Sequence, residues 1–176
     1  MPEKTISLPL SASFLDTKTL FTGLSFLSFA IPFLLAGPQL LVGTLVNTAL
    51  FAAALYLPKK YLPPLVFFPS LAVLSRGLIF GPFTFFLAFF LPFIWAGNYV
   101  LILVFQKSIK LGFLPAVIMS ALFKQGLLYS AAGIYFKLHL VPAIFLQSMG
   151  IFQFFTALAG GFINLVGCYI LAPRKK

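Results

Sequence analysis

The chain has 176 residues, 61% of them hydrophobic and 8% charged, where a soluble domain of this length carries about a quarter charged residues. Twelve Lys and Arg face two acids, Glu3 and Asp16, for a net charge of +10. The bases stand singly or in twos and threes between apolar runs, so the excess reads as a topology signal and no nucleic-acid partner is expected.

With no acid beyond residue 16, one Cys and one His, several chemistries drop out: carboxylate-held magnesium, metalloprotease helices, aspartyl dyads, and zinc, iron–sulfur or haem sites of ordinary ligand count. No metal and no cofactor is expected. Function must rest on Arg, Lys, amides, hydroxyls and aromatic rings.

A helix crossing the hydrocarbon core needs about 20 mostly apolar residues, and the chain divides into six such lengths. Residues 1–19 read as a cytoplasmic lead-in, with Asp16 or Thr17 capping the first helix. The first span, 20–36, lacks the small-residue pair of a signal-peptide cleavage site, because Ala36 fits but Leu34 does not. Gly37-Pro38 turns it tightly into a second span, 39–57, since Gly permits the turn and Pro cannot continue the preceding helix. Pro58-Lys59-Lys60 precedes a third, 62–80, and Gly81-Pro82 leads into a fourth, 83–105, closed by Gln106, Lys107 and Lys110. The fifth covers 111–136; Lys137, His139 and Pro142 separate it from the sixth, 143–172, and residues 173–176 form a basic tail.

The predicted fold class is therefore all-α: a polytopic membrane protein of the cell membrane, a six-helix transmembrane bundle over 20–172 with both termini cytoplasmic. The positive-inside rule supports the count. Lys4, Lys18, Lys59, Lys60, Lys107, Lys110, Arg174, Lys175 and Lys176 fall on the internal side and only Lys137 on the external side.

Two bases remain inside spans. Lys124 lies midway between Lys110 and Lys137, where a charged Lys costs about 2.5–3.5 kcal/mol even on a lenient insertion scale. It would have about 15 Å to climb to reach a headgroup. Arg76 stands some 21 Å above the internal face at helical rise, in the external third, within reach of headgroups. No span carries an acid to pair with either cation, which points to amides, carbonyls, lipid phosphate or an anionic ligand as partner.

Alternating the spans places Gln39, Thr44, Asn47, Gln147, Ser148 and Gln153 in the external half with Arg76, Lys124, Gln125, Tyr129 and His139. Asn98, Gln106 and Asn164 lie in a drier internal half. Such asymmetry fits a pocket better than a pore wetted throughout. Small residues four apart, Ala49 and Ala53, Gly126 and Ser130, and Ala157 and Gly161, mark faces where helices can approach closely, within the bundle or against a partner. Pro32, Pro69, Pro92 and Pro115 leave carbonyls unpaired and can bend helices around a cavity.

In size, span count, topology and external-half polarity the chain resembles the substrate-capture (S) components of energy-coupling factor (ECF) type importers. That resemblance implies a six-helix protein that binds a vitamin or other small nutrient near the external surface and is energised by partner ATPases through a transmembrane coupling subunit. Arg76 and Lys124 would then bind an anionic solute, with Asn47, Gln125, Gln147 and Gln153 orienting it in surrounding membrane lipid. The family docks its coupling subunit through small residues on the first span; the nearest match here, Ala49 and Ala53, lies on the second. Its metal-binding branch uses an N-terminal His, which this chain lacks.

No reaction is expected of the chain alone. Two other classes remain: a structural or assembly subunit of a larger membrane complex, with Arg76 and Lys124 paired to a partner's acids, and a membrane enzyme on lipid-linked substrate, using Lys124, Tyr129, Ser or Cys168.

Overall fold

The computed structural model describes residues 16–35, 37–80 and 84–171. All the regular structure among them is helical: α1 (Thr17–Leu34), α2 (Gln39–Tyr56), α3 (Leu62–Phe80), α4 (Thr84–Ser108), α5 (Phe113–Lys137), α6 (Ile144–Met149) and α7 (Ile151–Leu171), with single 3-10 turns at Lys59–Tyr61 and Ile109–Leu111. Five helical stretches are long and apolar enough to cross a membrane: α1, α2, Phe86–Leu111, α5, and Ile144–Ile170, which comprises α6 and α7. The 19-residue α3 is not among the five.

Helix ends follow the local chemistry. Asp16 caps α1 by accepting a hydrogen bond from the Thr19 backbone N–H, which holds its carboxyl below the usual range. Gly37 bends the chain, and Pro38 leads straight into α2. Gly81-Pro82, the second predicted turn, lies outside the described residues. The end of α5 is a Schellman motif: Leu140 N–H donates to Tyr135 C=O and His139 N–H to Phe136 C=O. Its left-handed position is taken by His139 (φ 56°) in place of the usual Gly.

The predicted sixth span is two helices. Gly150 (φ −99°, ψ −107°) interrupts it, and a side chain there could not fit: a Cβ would lie 2.5 Å from the Leu146 carbonyl and 2.8 Å from the Tyr129 ring. Prolines lie inside α1 (Pro32), α3 (Pro69) and α4 (Pro92). Pro115, by contrast, falls in the first turn of α5, where its missing N–H interrupts no hydrogen bond.

The interior centres on α2, which packs chiefly on α7, while α5 lies against α4 and α7, and α3 bridges α1 and α4. Leu50, Phe51, Leu101, Ile102 and Phe105 are fully enclosed in the main core cluster. Tyr169, Ile170, Phe26 and Phe162 face outward, as expected of helices solvated by lipid. Close approach is made possible by glycine: Gly43 faces Thr156, Gly160 faces the backbone of Asn47 and Thr48, and Gly161 faces Val117. α7 is thereby pressed onto α2 along one face and onto α5 along the next.

Candidate functional site

Lys124 is buried in α5 with 3% of its surface exposed. Its Nζ donates to Asn47 Oδ1 on α2 at 2.7 Å and to Asn98 Oδ1 on α4 at 2.8 Å. Both amides are fixed by their other ends. Asn47 Nδ2 donates to Thr156 Oγ1 on α7 at 3.0 Å, Thr156 Oγ1 donates to the Gln153 carbonyl, and Asn98 Nδ2 donates to the Val66 carbonyl on α3 at 3.0 Å. One ammonium thus ties five helices together without a carboxylate. An ammonium has three donors, and two are used among the described residues.

Lys124, Asn47 and Asn98 form one end of a cavity of about 380 Å³. Its other end is built from Gln39, Arg76, Ser148 and Gln153, beside Leu35 and Gly37 of the α1–α2 turn. Arg76 is partly buried and has no hydrogen bond or ion pair among the described residues. At that rim the Ser148 carbonyl, left without a helical partner by the break at Gly150, accepts from Gln39 Nε2 at 2.8 Å and from Gln153 Nε2 at 3.3 Å. Pro32 and Pro69 also line the cavity, so two of the predicted bends border it.

Of the residues singled out from sequence, Arg76, Lys124, Asn47 and Gln153 come together around this space. Gln125 and Gln147 do not: Gln125 follows Lys124 and points about 100° around α5, and Gln147 is exposed on α6. Ala49 and Ala53 are buried in the bundle, 5% and 0% exposed. Their face packs against the protein's own helices.

Gln39 and Ser148, from the external polar population, also line the cavity, as do Ser70, which was not singled out, and Asn98, which was expected in the drier internal half. Asn98 carried a readable signal: it precedes Leu111 by as many residues as Lys124 follows it, so the α4–α5 hairpin sets the two at one depth. The Ser148 carbonyl carried none, since it is freed by a break at Gly150 whose site leaves no room for a side chain against Leu146 and Tyr129.

The site can bind an anion or strong hydrogen-bond acceptor at either end, with an apolar body between. Comparison of the chain with protein-family models, curated proteins and solved structures finds no match.

Proposed function

We propose that the chain is the solute-binding membrane subunit of an importer for a small anionic or vitamin-like nutrient, of the energy-coupling factor kind. It takes its energy from partner ATPases through a coupling subunit. In this reading α3 crosses the membrane with the other five stretches, both termini are cytoplasmic, and the cavity rim at Arg76 is on the external side.

The observation that carries the reading is that Arg76 and Lys124 border one cavity, with no acid in its lining among the described residues. Lys124 borders the cavity while donating to two amide oxygens, and Arg76, which lines the same cavity, has no hydrogen bond or ion pair among the described residues. Two cations in such a setting supply long-range attraction and directed donors for an anion, worth far more in a low-dielectric site than in water.

Native mass spectrometry of the protein released from detergent tests this. The wild type is expected to retain a small solute, and Lys124→Ala to lower its affinity tenfold or more. Undiminished retention in the Lys124→Ala/Arg76→Ala double variant would overturn the assignment.

A further inference from the structure

The cavity is banded from floor to rim. On α2 its lining residues are Gln39, Val42, Gly43, Val46 and Asn47, one face of a helix at the i, i+3, i+4, i+7, i+8 spacing. That stripe begins and ends on an amide and is apolar between. On α3 the lining runs through Ser70, Val73 and Arg76, again three residues apart, from a hydroxyl near the floor through valine to a guanidinium at the rim. On α4 it runs from Leu87 through Ile94 to Asn98, where Asn98 is fixed at the floor by its bond to Lys124. Three helices therefore agree on the level of the polar floor, and two of them on a polar rim.

Helical rise gives the scale. Gln39 to Asn47 is about 12 Å along α2 and Ser70 to Arg76 about 9 Å along α3. A compact polyanion filling the floor would leave the valine and isoleucine waist empty. A neutral aliphatic ligand would leave the remaining Lys124 donor and Arg76 unmet, and a cation finds no carboxylate in the lining.

We propose that the cavity takes an elongated two-headed acid. One carboxylate sits on Lys124 at the floor, an aliphatic middle lies against Val42, Val46, Val73 and Ile94, and a second acceptor group meets Arg76 at the rim. This rests on the binding role above and names the class of its ligand.

The protein carries its own reporter. Trp95, the only Trp in the chain, donates its indole N–H to Ser70 Oγ at 2.7 Å, and Ser70 lines the cavity, so occupancy will alter its emission. Protein stripped of solute and placed in lipid nanodiscs is titrated with the α,ω-dicarboxylates succinate, pimelate, azelate and dodecanedioate, and with hexanoate and octanoate. Affinity is expected to peak at pimelate to azelate, at least tenfold above succinate, dodecanedioate and the monocarboxylates. Arg76→Gln is expected to bring the dicarboxylates down to the level of the monocarboxylates, and Lys124→Met to abolish the response to both. Arg76 is only partly buried, so its variant decides the matter even if Lys124→Met does not fold.

Affinity independent of chain length, or an Arg76→Gln protein that still prefers dicarboxylates, overturns the two-headed ligand while leaving the solute-binding role standing. So does native mass spectrometry showing a retained neutral or cationic solute. A protein that retains no solute and responds to no acid overturns both.

Discussion

A lysine as deeply buried as Lys124 ordinarily needs an opposite charge. Here the charge-assisted bonds go to two amide oxygens, whose own nitrogens each donate elsewhere, so each link is oriented by the next. Not every buried polar group is served this way: Ser25 Oγ and Ser28 Oγ on α1 have no hydrogen-bond partner among the described residues. The contrast is measurable, because losing a paired buried group strands its partner whereas losing an unpaired one strands nothing. Ser28→Ala is expected to be neutral or stabilising by up to about 1 kcal/mol, and Asn98→Ala to destabilise by about 2–3 kcal/mol, read as thermal unfolding of the detergent-solubilised protein. Equal effects at the two positions would mean that Ser28 has a partner, such as an ordered water.

Between elements, the α2–α7 contact positions the site. Gly160 lets the backbones meet: a Cβ there would lie 2.7 Å from the Thr48 nitrogen and 2.9 Å from Asn47. Asn164 Nδ2 reinforces the contact by donating to the Thr48 and Gly160 carbonyls, each at 2.9 Å. Backbone cannot yield as a flexible side chain would, so Gly160→Ala must part the helices and draw Asn47 away from Lys124. The expected result is a loss of about 1–3 kcal/mol together with weakened solute binding, whereas Gly126→Ala, which meets nothing within 4 Å, leaves binding unchanged and stabilises by up to about 1 kcal/mol. Binding titrations and melting curves on the two variants check this.

The same elements show what the sequence makes legible. Apolar length and the Lys and Arg clusters place the helix limits within a few residues, because those features are local. The burial of Ala49 and Ala53 and the break at Gly150 are tertiary: a small-residue pair marks a close contact without saying which helix makes it, and Gly150 packs where a side chain would meet the Tyr129 ring. Lys124 and Arg76 stand out as charges in apolar runs. Gln125 and Gln147 lie off the cavity because depth alone does not give the facing side of a helix.

At the level of the whole molecule, the proposed topology depends on α3. If α3 crosses, residues 60, 110 and 176 share the cytoplasmic side and residue 139 is external; if it does not, 110, 139 and 176 all change sides relative to 60. Green fluorescent protein and alkaline phosphatase fused after these positions distinguish the two. Six crossings give fluorescence at 60, 110 and 176 and phosphatase activity at 139. The reversed pattern beyond residue 60 would remove the shared orientation on which an external rim depends.

The mirror placement of Asn98 and Lys124 about the α4–α5 turn also bears on how the protein is made. Asn98 is synthesised 26 residues ahead of Lys124, so its amide is in place first. If α4 and α5 enter a membrane together as a hairpin, α5 brings its ammonium in beside an acceptor that α4 already carries, ahead of α7, which is made last. On that route the pair at the cavity floor would act first as an insertion partner, lowering the cost of placing a cation in hydrocarbon.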